Sequence, residues 1–389
     1  MVGWIATGAL ALGAGAALLA AYGWLSARHF RVRSARPELT RVVCADGGML
    51  AVYRRRPALR RFSEPVLLCH GIATNHLNVD FDPPYSLAHV LADAGFEVFS
   101  VDWRGTGPSR PPPGTGRFDY CVDQHIRFDG PALVSHACQV TGATQVYWVG
   151  HSMGALVGYG VAQGPEGARI KGLCALGAPV FFAYRPWLRQ TVRLMTWLAF
   201  PYALRQRWLS VLLAPFLGYV TVPLTDTLIN PKAIPAPVLR KVYANLVQSM
   251  GWRLLRQFKD WIWNDAFRSE DLSVDYRAGL AGLTLPALVI GGSQDQLASS
   301  RAVQQQFDLL GSPDKTLMVF GRENGDGLDY GHGDLIFGAG APVEIYPRLQ
   351  KWLTDRATLL AKALPSASGK AASIEGQLEN TGLLPPAKG

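Results

Sequence analysis

The chain has 389 residues, of which 49% are hydrophobic, and a formal net charge of +9. This length suffices for one large domain with an insertion, and the basic clusters Arg54-Arg55-Arg56 and Arg60-Arg61 suit either anionic lipid headgroups or a solvated loop. The sequence contains no nucleic-acid-binding module, which argues against a nucleic acid partner, and its five scattered cysteines predict reduced core residues instead of a disulfide framework.

The first predicted element is an apolar N-terminal helix. Residues 2 to 27 contain no charged side chain and are long enough to span a bilayer. The arginines that follow this run are Arg28, Arg31, Arg33 and Arg36. Because positive charge stays on the cytoplasmic side, the pattern predicts a single-pass membrane protein whose following domain is cytoplasmic. A cleaved signal peptide and a buried helix stay open as alternatives.

A strand followed by a sharp loop is predicted near residue 70. Residues 40 to 54 predict a hairpin, and Pro65-Val66-Leu67-Leu68-Cys69 predicts a buried strand that leads into His70-Gly71-Ile72. Gly71 allows the backbone to turn sharply, so the N–H of Ile72 can point at a reacting group. We therefore expect Ile72 to supply one of two backbone donors for an oxyanion.

The most informative motif is Gly150-His151-Ser152-Met153-Gly154. It lies between an apolar run at 145–149, which predicts a strand, and a small-residue run at 155–162, which predicts a helix. A Gly-x-Ser-x-Gly turn in this setting holds a serine in a strained conformation, and side chains at both glycine positions would clash. We expect Ser152 to be a nucleophile and Met153 to be the second oxyanion donor. An ordinary glycine-rich turn is the alternative.

The alternation of strands and helices breaks after a strand predicted at 170–176. Residues 181 to 276 have mainly helical character and carry six of the chain's 11 tryptophans. We interpret this region as a helical cap, or lid, and expect Leu212 and Phe216 to bind an apolar acyl group. A membrane span over 208–225 and simple packing within the cap are the alternatives.

Two later loops supply candidates for an acid and a base. Asp295 follows a strand predicted at 286–292, and His332 lies in the loop after a strand predicted at 315–320. A serine nucleophile needs a base that is held by an acid, and we expect His332 and Asp295 in these roles. Nearby acidic residues leave a metal site open, but their spacing matches no dedicated ligand pattern, so we predict no metal and no cofactor. These residues are Asp326, Asp329 and Asp334.

Taken together and in this order, the motifs resemble the α/β-hydrolase superfamily over residues 40 to 360. The stretches that carry the resemblance are His70-Gly71, Asp102 to Ser109, Gly150 to Gly154, Gly291 to Asp295 and Gly331-His332. The resemblance implies an α/β fold with a mostly parallel central sheet flanked by helices. Residues 91–109 and 329–338 are also similar to the acid lipase group, which implies ester or lipid substrates.

The expected organisation has four parts. They are an anchor over 1–27, a hydrolase core over 28–180 and 277–364, a cap over 181–276 and a disordered tail over 365–389. The expected activity is the cleavage of carboxylic esters with medium or long acyl chains, including lipids, through an acyl-enzyme. An acyltransferase with an alcohol acceptor and a non-catalytic scaffold stay open as alternatives, and the oligomeric state is not predicted.

Overall fold

The computed structural model describes residues 2–32, 37–182, 186–219 and 228–365, without the side chains of 2–12 and 362–365. The strands are β1 (Glu38–Val43), β2 (Met49–Arg55), β3 (Leu59–Phe62), β4 (Val66–Cys69), β5 (Val98–Asp102), β6 (Val146–His151), β7 (Ile170–Leu176), β8 (Ala203–Leu204), β9 (Met250–Gly251), β10 (Ala287–Gly292), β11 (Lys315–Phe320) and β12 (Leu359–Pro365). Eight of them form the central sheet, in the order β1-β2-β5-β4-β6-β7-β10-β11.

The central sheet is mostly parallel, as the sequence predicts. β2 pairs antiparallel with β1 and β5, whereas the pairs from β5 through β11 are parallel. Successive residues of β4 face opposite sides: Val66 and Leu68 join one apolar cluster, and Leu67 and Cys69 join the other. Because both faces are covered, the inner strands are continuous apolar runs without polar alternation.

The α-helices of the described residues lie before, between and after these strands along the chain. They are α1 (Val2–His29), α2 (Leu87–Asp93), α3 (Val122–Gln124), α4 (Gly130–Thr141), α5 (Met153–Ala162), α6 (Pro186–Ala199), α7 (Arg207–Leu213), α8 (Ala236–Asn245), α9 (Trp252–Asn264), α10 (Tyr276–Gly279), α11 (Ser300–Leu309), α12 (Asp334–Phe337) and α13 (Ala341–Thr354). The predicted cap region contains α6 to α9, with β8 and β9 pairing to each other. Its exact boundaries stay a prediction.

The N-terminal helix α1 packs against the cap region. The Tyr22 hydroxyl donates to the Leu212 carbonyl at 3.2 Å, and the Ser26 hydroxyl donates to the Val211 carbonyl at 2.8 Å. Among the residues that the structure describes, no helix is long and apolar enough to cross a membrane. The predicted single-pass span over 2–27 is therefore not supported, and the C-terminal part of α1 is held by hydrogen bonds to α7.

The chain ends differ in part from expectation. β12 pairs antiparallel with β3, which the sequence pattern did not indicate. Residues 366–389 of the predicted tail lie outside the described part of the chain. The cysteines are free and buried, as predicted; they are Cys44, Cys69, Cys121, Cys138 and Cys174.

Candidate active site

Ser152 stands at a strained turn between β6 and α5. Its backbone has φ 54° and ψ −120°, and its N–H donates to the Leu176 carbonyl at 2.8 Å. A Cβ at Gly150 would lie 2.4 Å from the Ala155 nitrogen, and one at Gly154 would lie 2.1 Å from the Cys69 carbonyl oxygen. Only glycine fits at either position, which is the physical reason for the motif.

Asp295 and His332 form a buried pair. The His332 Nδ1 lies 2.8 Å from the Asp295 Oδ2, and the other carboxylate oxygen accepts the N–H groups of Leu297 and Ala298, each at 2.8 Å. Since an ionised carboxylate can only accept, Nδ1 carries the proton and Nε2 is left as the basic nitrogen. The structure therefore brings these two predicted residues together in the geometry of a base and its orienting acid.

A glycine that sequence reasoning missed packs directly against this pair. Gly177 follows β7 with φ 57°, and a Cβ there would lie 3.1 Å from the His332 Nδ1 and 3.3 Å from the Asp295 Oδ2. Any side chain would displace the hydrogen-bonded pair. A glycine directly after a predicted core strand was the available signal.

His151 links the elbow to the loop that carries His332. Its Nε2 lies 3.1 Å from the His332 carbonyl oxygen, and its Nδ1 lies 3.1 Å from the Asn78 Oδ1. Burial, together with the nearby His332, lowers the pKa of His151 to about 3, so this imidazole is neutral at physiological pH. A neutral ring that bridges two loops positions them and does not act as the base.

The two predicted oxyanion donors belong to segments next to Ser152. Met153 is the first residue of α5, where backbone N–H groups have no partner within the helix. The loop after β4 approaches so closely that a Cβ at Gly71 would lie 3.1 Å from the Ser152 Cβ, and Ile72 is the next residue. The role of these two N–H groups as oxyanion donors stays a prediction.

A network of hydrogen bonds holds the loop after β4, which carries Ile72. The Trp103 N–H donates to the His70 Nε2 at 3.2 Å, and burial lowers the pKa of His70 to about 4. Asp102 accepts the His76 N–H at 2.7 Å and the Tyr53 hydroxyl at 2.8 Å. Sequence reasoning gave these residues no role, although His70 and Asp102 lie in the stretches that carried the family resemblance.

Leu212 and Phe216, the predicted acyl-binding residues, lie in the predicted cap region, Leu212 within α7 and Phe216 just after it. The Leu212 Cδ2 is 3.4 Å from the position of a Cβ on Gly23, and Phe216 is 52% exposed. These observations place Leu212 at the boundary between the cap and α1. A role for either residue in substrate binding stays a prediction.

The acidic residues near His332 each have partners in the protein. Asp326 accepts the Gly321 N–H at 2.9 Å, Asp329 accepts the Ser293 hydroxyl at 2.9 Å, and Asp334 accepts the Asn230 N–H at 2.7 Å. Within the described ranges, no group of three or more His, Cys, Asp or Glu side chains could hold a metal ion. The alternative of a metal site therefore has no geometric support.

The fold and this constellation define a protein of the α/β-hydrolase class, with a serine at the elbow. The sequence profile described as alpha/beta hydrolase fold matches residues 64–322, well over half of the chain. The chain belongs to the alpha/beta hydrolase fold family, as the motifs predict.

Individual relatives resemble parts of the chain. Gastric triacylglycerol lipase of Mus musculus is 33% identical over 30% of this chain and 33% of its own length. Lysosomal acid lipase/cholesteryl ester hydrolase of Homo sapiens is 38% identical over 31% of this chain and 33% of its own length. The matches thus span about a third of the length of these curated relatives.

The structural comparison reaches further along the chain. A soluble variant of monoglyceride lipase from Saccharomyces cerevisiae, solved in complex with a substrate analog, has a TM-score of 0.61 and 17% identity. The similarity covers 84% of this chain and 98% of that one. At this level of identity the likeness shows the fold alone.

Proposed function

We propose that the protein is a serine hydrolase that cleaves carboxylic esters through an acyl-enzyme. The observation that carries the proposal is the strained Ser152 at the same sheet edge as the buried Asp295–His332 pair. A serine hydroxyl is a weak nucleophile by itself and needs a neutral base whose second nitrogen is held by a carboxylate. The similarity of part of the chain to lipases also supports the proposal.

The reaction assigns one step to each group. The Ser152 hydroxyl attacks the ester carbonyl while the His332 Nε2 takes its proton, and the N–H groups of Ile72 and Met153 stabilise the resulting oxyanion. His332 then gives the proton to the departing alcohol. Water, activated by the same nitrogen, attacks the acyl-enzyme and releases the acid and the free serine. Asp295 stabilises the imidazolium that forms in both halves.

The proposed substrates are esters or lipids with medium or long acyl chains. Ten large hydrophobic side chains between residues 186 and 219 are exposed, including Trp197 at 71% and Trp208 at 69%. The same stretch carries four arginines and no acidic residue; they are Arg189, Arg193, Arg205 and Arg207. Aromatic side chains mixed with arginines suit the interface of a membrane with anionic headgroups. We therefore propose that the cap binds to a lipid surface.

Fluorophosphonate labelling tests the chemistry. We expect a single adduct, mapped to Ser152 by mass spectrometry, which is lost in Ser152→Ala and retained in Ser135→Ala, a helix serine of the core. Labelling that persists in Ser152→Ala would refute the nucleophile. A wild-type protein that binds ester but neither reacts nor turns over would favour the scaffold. Formation of a new ester when an alcohol is added would favour the acyltransferase.

Vesicle flotation tests the lipid surface. We expect the protein to bind vesicles that contain phosphatidylglycerol more strongly than vesicles of phosphatidylcholine alone. Leu198→Ser in the cap should weaken binding, whereas Leu59→Ser, a comparably exposed leucine on the core, should not. Equal weakening by both variants would count against a specific role of the cap.

A further inference from the structure

A short segment of the cap, residues 228–233, is bonded directly to the loop that carries His332. The Gly333 N–H donates to the Leu228 carbonyl at 2.7 Å, and the Ala339 N–H donates to the Ala233 carbonyl at 2.8 Å. Between these two bonds, the Asn230 side-chain amide donates to the Asp329 carbonyl at 2.8 Å. The contacts thus bracket His332 on both sides in sequence.

Asp334 is the polar centre of this contact. Its side chain is fully buried, and one carboxylate oxygen accepts two backbone N–H groups, from Gly331 in the His332 loop at 2.5 Å and from Asn230 in the cap at 2.7 Å. The other oxygen is buried without a hydrogen-bond partner among the described residues. A single acceptor therefore joins the cap backbone to the residue immediately before His332.

The close approach of the cap segment also explains why glycines stand on either side of His332. A Cβ at Gly331 would lie 2.9 Å from the Asn230 nitrogen, and one at Gly333 would lie 3.0 Å from the Ile229 Cγ2. The cap backbone passes so close to the loop that side chains at these positions have no room. Because close-packed atoms have little room to move separately, a shift of the cap segment would also shift the loop that carries His332.

We propose that cap segment 228–233 positions the base, and that Asp334 is the residue through which it does so. The inference rests on the proposed function, since it concerns the base of that reaction. A base misplaced by about 1 Å loses on the order of 100-fold in rate, so a segment that holds the His332 loop affects the chemical step as well as substrate binding. The cap therefore contributes to catalysis even for esters too small to contact its apolar surface.

The test uses p-nitrophenyl acetate, whose acyl group is too short to need an apolar cap. Asp334→Ala removes the shared acceptor, and we expect kcat to fall between about 10-fold and 100-fold while KM changes less than about twofold. Asp334→Asn retains an acceptor oxygen and should recover most of kcat. The rate constant of Ser152 labelling by a fluorophosphonate should fall in parallel in Asp334→Ala, measured on protein shown to be folded by circular dichroism.

Lys241→Gln is the matched control. It breaks a cap–core ion pair with Asp82, at 2.8 Å, that does not involve the His332 loop, and acetate turnover should be unchanged. Should Asp334→Ala fail to fold, Asn230→Ala carries the test, because it removes the bond to the Asp329 carbonyl and should lower kcat in the same direction.

Two results would overturn the inference. One is wild-type acetate kcat in folded Asp334→Ala or Asn230→Ala, and the other is an equal loss in Lys241→Gln. Failure of the proposed function is distinguishable from both, because it would appear as labelling or turnover that survives in Ser152→Ala.

Discussion

The hydrolase core buries nearly all of its large apolar side chains, whereas one stretch of the predicted cap exposes many of them. Outside the predicted cap, among the described side chains of 37–182 and 277–361, the exposed large hydrophobic residues are few and scattered: Leu39, Val43, Leu59, Val140, Val343 and Leu359. The much shorter cap stretch 186–219 exposes ten. In the core, burial holds Ser152, Asp295 and His332 in place, whereas the predicted cap leaves apolar side chains exposed, as the proposed contact with a lipid surface requires. The contact at Asn230 and Asp334 connects the two.

The largest expected effect comes from the core pair. Asp295→Asn would leave the shape of the site intact but let the amide favour the wrong tautomer of His332. We expect kcat to fall about 10,000-fold with little change in the free energy of unfolding. Steady-state kinetics and chemical denaturation measure the two quantities. Near-normal turnover would mean that another acid orients His332.

Gly154→Ala tests how tightly the core holds the elbow. Its Cβ would lie 2.1 Å from the Cys69 carbonyl oxygen, so β4 and α5 must separate. We expect a loss of at least about 3 kcal/mol in the free energy of unfolding, together with loss of turnover. Gly282→Ala is the control, because a Cβ there meets nothing within 4 Å. Equal stability of the two variants would contradict the close approach described for the elbow.

Asp334 allows a pH test of the junction between core and cap. Burial raises the pKa of this carboxyl to about 7; the neighbouring Asp295 adds to the rise, and His332 and the two N–H donors oppose it. Because the pKa of Asp334 is higher in the folded protein than in the unfolded chain, folding favours the protonated carboxyl. The stability that this carboxyl contributes is therefore present at low pH and is lost as pH rises toward 7. Between pH 5 and 8, the wild type should lose about 2 to 3 kcal/mol relative to Asp334→Asn. Parallel pH profiles of the two proteins would show that the carboxyl does not titrate this way.

The smallest expected effect concerns the cap. Each buried methylene of an acyl chain contributes about 0.8 kcal/mol, close to a fourfold gain in binding per carbon. Phe216→Ser should therefore flatten the rise of kcat/KM with chain length in a series of p-nitrophenyl esters, and leave acetate turnover intact. Val343→Ser, at an exposed site on the core, should leave the series unchanged. A wild-type preference for acetate would remove the lipid proposal.

The core was more predictable from sequence than the cap, for a physical reason. Strand β11, predicted at 315–320, occurs at Lys315–Phe320, and β10, predicted at 286–292, occurs at Ala287–Gly292. Buried parallel strands are short continuous apolar runs, and reacting groups follow their carboxyl ends, so the sequence pattern is strong. The positions of Asp295 and His332 could be inferred in this way.

Other features depend on contacts between segments far apart in sequence. The role of Gly177 depends on an approach by His332, and the role of Asp334 depends on an N–H from Asn230, about 100 residues earlier. The N-terminal prediction of a membrane span is not supported by the described residues, and the reason is also a contact between distant segments. The sequence of an uncharged helix does not tell whether lipid or protein covers it, whereas the bonds from Tyr22 and Ser26 show that α1 packs on α7.

Trapping of the acyl-enzyme tests the central claim most directly. The protein is mixed with p-nitrophenyl decanoate, quenched with acid during the first turnover and analysed by peptide mass spectrometry. The account predicts a decanoyl group on Ser152, formed together with a burst of p-nitrophenol, and neither signal in Ser152→Ala or His332→Ala. A decanoyl group on another residue, or ester cleavage that persists in Ser152→Ala, would contradict it.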